Sequence, residues 1–142
     1  MSGDDDGLSS DHRLVARRWL LIAQRDVRSA VACLDAGEPI LETAAYLCQQ
    51  AAEKLMKGLL VLGRTPFRKT HDLEALRDLV VGRFPAFTAM IDRLVPLTDW
   101  GHIFRYPDLD EEPVPTNEEL RHFVWEIEQF AEHVARTIDT SE

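Results

Sequence analysis

Residues 41–62 read LETAAYLCQQAAEKLMKGLLVL, and the spacing of their apolar residues decides the fold. Leu41, Ala45, Cys48, Ala52, Leu55, Leu59 and Leu62 recur at alternating intervals of four and three, the period of one helix face. The small side chains at 45, 48 and 52 let a neighbouring helix come close, and Gly63 supplies the stop. Upstream, Ala16, Leu20, Ala23, Val27, Ala30 or Val31, and Leu34 form a second stripe, closed by Gly37 and Pro39. Each stripe needs a partner surface, and two such helices joined by a short link pack antiparallel.

Working outward, Thr70-His71-Asp72 looks like a helix start, with Thr70 or Asp72 able to cap free amides. Leu73, Leu76, Leu79 and Val80 carry that helix to about Gly82. Pro85 suits the first turn of another, lined by Phe87, Met90, Ile91, Leu94 and Leu97. Residues 101–115 are rich in proline and acid and read as a loop. Thr116 and Glu119 match a capping box, and Leu120, Ile127, Val134 and Ile138 continue into a final long helix. No alternating strand pattern and no internal repeat interrupts the series. The expectation is an all-α, up-and-down antiparallel bundle of four to five helices over residues 11–139, preceded by a disordered acidic tail at residues 1–10.

At 142 residues the chain is one ordinary domain, with a formal net charge of −9 from 16 basic and 25 acidic side chains. Such a balance argues against gripping long nucleic acid by general attraction, which needs a basic surface. No apolar run approaches the roughly 18 residues needed to span a bilayer. The acidic N-terminus is unlike a secretory signal. A cytoplasmic location without a membrane partner is therefore expected. The two cysteines, Cys33 and Cys48, lie among apolar residues and read as reduced core thiols. No Cys or His spacing suggests a metal, and no cofactor is expected.

The residues that could carry chemistry gather around the same second helix. Gln50, Lys54 and Lys57 share a face at i, i+4 and i+7, and Glu53 can pair with Lys57. A solvated helix face is one reading. The other is a ligand site, because Lys54, Lys57, Arg64, Arg68 and Lys69 concentrate positive charge in an acidic chain, where they could hold a phosphate or an acidic partner. His71 follows that patch. Asp26 interrupts an apolar helix surface and needs a partner if buried; Lys54, Lys57 or Arg105 could supply it. In Arg105-Tyr106-Pro107-Asp108, an arginine beside a tyrosine could hydrogen-bond to and stack on a planar ligand.

Taken together, Arg25-Asp26-Val27, Gln49 through Leu60 (QQAAEKLMKGLL), Lys69-Thr70-His71-Asp72-Leu73 and Arg105-Tyr106-Pro107-Asp108 resemble the HEPN domain in order and spacing, over roughly residues 13 to 138. The resemblance implies a helical bundle, usually a homodimer, often encoded beside a minimal nucleotidyltransferase in toxin–antitoxin-like modules. It implies a nucleotide- or RNA-binding protein whose site would combine Asp26, Gln50, Lys54, Lys57, His71, Arg105 and Tyr106. Many family members are metal-independent ribonucleases with an Arg followed four to six residues later by a His near the last helix. Here Arg105 is followed by Tyr-Pro-Asp-Leu-Asp-Glu-Glu-Pro, with no His in reach. An endoribonuclease would thus need a different arrangement, with Arg105 and His71, or His122 in its place, as candidate catalytic residues. A helical interaction module without a ligand is the third reading. The dimer interface is expected on the first and last helices, where Trp19 and Trp125 lie off the core stripes.

Overall fold

The computed structural model describes residues 2–99 and 115–141, with side chains described from residue 11 onward. Among these residues there is no strand. Helix α1 spans Ser2–Asp35, α2 Leu41–Leu62, α3 Leu73–Arg83, α4 Thr88–Asp92 and α5 Asn117–Thr140, with a 3-10 turn at Pro85–Phe87 before α4. The all-α bundle is as expected.

Helix α2 is the central element. Its buried positions include Ala44, Cys48, Ala51, Leu55, Met56, Gly58 and Leu60, which lie all round the helix rather than on one stripe. A helix enclosed on every side must have neighbours on every side. They are α1, α3 and α5. Gly58 makes the α1 contact close: a Cβ there would lie 3.1 Å from Trp19 Cβ and 3.4 Å from the Ala16 carbonyl oxygen. Helix α5 runs antiparallel to α1. Arg17 meets Asp139 at 2.8 Å at one end of the pair, and Arg121 meets Asp35 at 2.7 Å at the other.

Three details depart from the sequence reading. Helix α1 begins at Ser2, not near Asp11. Gly63 closes α2, yet it is not the left-handed residue. That conformation belongs to Arg64 (φ 55°), whose amide donates to the Val61 carbonyl while Thr65 donates to Leu60, a Schellman pattern. Gly63 is needed for space: a Cβ would lie 2.7 Å from Arg83 Cγ and 2.9 Å from Phe84 Cε2. The helix expected from Pro85 through Leu97 is broken by turns at residues 93–96, though Phe87, Ile91, Leu94 and Leu97 are all buried. Pro96 has no amide to donate and disfavours helical backbone at Val95.

The capping predictions hold. The Thr116 hydroxyl accepts from the Glu119 amide and the Glu119 carboxylate accepts from the Thr116 amide, both at 3.1 Å. Asp72 caps α3 by accepting from the Glu74 amide at 3.0 Å, while Thr70 Oγ1 accepts from the Asp72 amide. Among the described residues no helix is long and apolar enough to cross a membrane.

Candidate functional site

Enclosing α2 buries polar side chains along with apolar ones. Gln49, Glu53 and Lys57 follow one another at i, i+4 and i+8, and they are 1%, 3% and 7% exposed. A lone buried carboxylate would be costly, so its partners decide whether the arrangement is stable. Glu53 has three. Oε1 accepts from Gln49 Nε2 at 3.1 Å and pairs with His71 Nδ1 at 2.9 Å; Oε2 accepts from Lys57 Nζ at 2.9 Å. Gln49 also donates to the His71 backbone carbonyl at 3.2 Å, fixing the residue that carries the imidazole. The Lys57 ammonium sits 5.9 Å from the centre of the Trp19 ring, which covers it from α1.

The result is a histidine held from beneath. An ionised carboxylate can only accept, so His71 Nδ1 carries the proton. Nε2 is then the ring nitrogen open to a ligand or to solvent, and the His71 side chain is 46% exposed. His71 lies between the Arg68-Lys69 loop and the capped start of α3, so Gln49 and the Asp72 cap both restrict its backbone.

A second pair lies farther along α2. Lys54 Nζ donates to Asp26 Oδ2 at 2.6 Å, with the two side chains 21% and 16% exposed. Of the partners considered for Asp26, Lys54 is the one realised among the described residues, and Arg105 lies outside them. Gln50, half-buried, donates to Gln49 Oε1 at 2.8 Å and so joins the Glu53 network at second hand.

The structure therefore brings His71, Gln50 and Lys57 into one hydrogen-bonded network and sets Asp26 and Lys54 beside α2 as a separate pair. Lys57 is engaged beneath the surface as a support for Glu53. Arg105 and Tyr106 lie outside the described residues. The sequence reading paired Glu53 with Lys57 but left Glu53, the centre of the network, and Gln49 out of the candidate site. The available signal was their spacing: 49, 53 and 57 form a row of their own between the core positions of α2, polar throughout and long enough to span two turns. Trp19, expected at an intermolecular face, is partly buried against α2 of its own chain, whereas Trp125 is 55% exposed. Among the described residues no group of three or more His, Cys, Asp or Glu side chains is placed to hold a metal ion.

Fold and site together define an all-α bundle whose central helix carries a buried polar network ending in a rim histidine. The chain belongs to the HEPN domain family, whose model matches residues 16–137. That membership supports a nucleotide- or RNA-related role. No curated protein and no solved structure matches the chain significantly.

Proposed function

We propose that this HEPN-domain protein binds a nucleotide or an RNA end and acts with a separately encoded nucleotidyltransferase in a toxin–antitoxin-like module. The observation that carries the proposal is the Glu53–His71 pair, a buried carboxylate holding a rim imidazole beside the exposed cations Arg68 and Lys69. Burying Glu53 and Lys57 costs desolvation that a plain bundle would avoid, and the return is a histidine of defined tautomer. Nε2 can accept from a ribose hydroxyl, while Arg and Lys hold phosphate. The acidic chain suits a small ligand or a protein partner better than a long duplex. Fluorescence polarisation with a labelled RNA tetranucleotide, competed by nucleoside triphosphates, tests the reading. Saturable binding weakened by His71→Ala is expected; no binding, with or without a nucleotidyltransferase partner, would refute it.

The same pair gives a second reading some support, a metal-independent endoribonuclease. An imidazole oriented by a carboxylate is the arrangement of a general base, here one that could activate a ribose 2′-hydroxyl. Cleavage of RNA in excess chelator, abolished by His71→Ala and not by a distant surface substitution, would favour it over binding alone.

A further inference from the structure

Next to His71 the loop and α3 enclose a groove of about 790 Å³. Pro66, Phe67, Ala75 and Leu79 supply its apolar surface, and Arg68 and Lys69 also line it. Phe67 is only partly buried and Leu79 is 38% exposed, so both present carbon surface to the groove. Both cations are exposed, and among the described residues neither makes an ion pair. Some exposed arginines of this acidic chain pair with carboxylates, Arg17 with Asp139, Arg93 with Glu126, Arg121 with Asp35 and Arg136 with Glu132; the two cations of the groove are among those that do not. Two adjacent cations that make no ion pair among the described residues, beside an apolar hollow, match an anion with a flat, apolar body. Thr70 and Asp78 also line the groove and offer a hydroxyl and an acceptor for orienting such a body.

We propose that this groove is the base-and-phosphate subsite for a nucleoside monophosphate unit, with the base against Phe67 and Leu79 and the phosphate on Arg68 and Lys69. The inference rests on the nucleotide reading above and adds a place to it. Thr70 lines the groove and His71 is the next residue, so the imidazole stands at the groove's edge rather than in its lining. Stacking on an aromatic face tolerates any base, so the groove grips nucleotides with little base preference. Two phosphate contacts also make binding salt-dependent.

Photolabelling of the full chain with 8-azidoadenosine monophosphate, followed by peptide mass spectrometry, tests the placement. Label is expected on peptides containing residues 66–79, protected by excess adenosine monophosphate. It should be lost in Leu79→Glu, a substitution at an exposed helical site that keeps helix propensity and whose folding is checked by circular dichroism. Arg68→Ala combined with Lys69→Ala should weaken affinity about tenfold or more, with a shallower salt dependence. Saturable label confined to other peptides would overturn this subsite and leave nucleotide binding standing. No saturable label, with RNA binding also absent in the polarisation assay, would overturn both.

Discussion

Lys57 shows how a residue's pairing can be legible while its burial is not. Its position on α2 was legible, as was its capacity to pair with Glu53, but its burial was not, because an amphipathic pattern alone does not tell that α2 is enclosed on all sides. Asp26 was more legible. A carboxylate inside an apolar stripe demands a cation, and Lys54 provides it at 2.6 Å. Removing Lys57 alone leaves Glu53 charged and buried without its main counter-ion. Lys57→Met is therefore expected to cost about 3–5 kcal/mol, and Glu53→Gln combined with Lys57→Met less, because no stranded charge remains. Chemical denaturation of the single and double variants measures this; simple additivity would contradict the network. The corresponding coupling between Asp26 and Lys54 should be smaller, since water reaches both side chains. Cys48 gives a pH signature. Burial pushes its thiol up to about 12, so folding favours the neutral form. Its contribution is intact below the ordinary thiol range and declines as pH rises from there toward 12. Ellman's reagent at pH 8 should modify the part-exposed Cys33 quickly and Cys48 only as fast as the bundle opens.

At the scale of elements, periodicity and capping residues marked the long helices well. The final helix was announced by Thr116 and Glu119, and both hydrogen bonds of the capping box are present. The end of α2 was also placed correctly, for an incomplete reason. Glycine was read as the stop, and the chain places Arg64 in the left-handed position and keeps Gly63 for the close approach of Arg83 and Phe84. Sequence does not distinguish the two uses, because both call for glycine near the stop. The α3–α4 region was less legible, since its contacts are with other elements rather than along one helix. Arg77 holds α3 to α4 through Asp92 at 2.7 Å and also contacts Asp78. The guanidinium holds the Asp92 carboxyl below its ordinary range. A lowered carboxylate contributes stability above its unfolded-state value and loses that contribution as pH falls through the folded one. Acid titration of thermal stability should thus fall less steeply in Asp92→Asn than in the parent chain; identical acid limbs would mean the tether contributes nothing.

For the whole molecule, the bundle was legible because three long stripes need one another, and the family match over residues 16–137 agrees with that reading. The site was legible in part. Asp26, Gln50, Lys54, Lys57 and His71 all lie on or against the central helix, whereas Glu53 was legible as a partner of Lys57 and not as the residue that also holds His71. Assembly is a proposal of the same account. Trp125 is 55% exposed on α5 and Leu21 is 60% exposed on α1, two large apolar side chains on the helices expected to form a two-fold interface. Sedimentation equilibrium at low micromolar concentration should give a dimer mass that falls toward the monomer in Trp125→Glu; a monomer throughout would remove the argument. The central claim is narrower: Glu53 fixes the proton of His71 on Nδ1 and leaves Nε2 for a nucleotide. Imidazole nitrogen NMR of ¹⁵N-histidine-labelled protein, with His71 assigned by His71→Gln, measures this directly. The account predicts a single species protonated at Nδ1 whose Nε2 resonance moves saturably as adenosine monophosphate is added. A His71 protonated mainly at Nε2, or one whose nitrogens ignore the nucleotide at saturation, would contradict it.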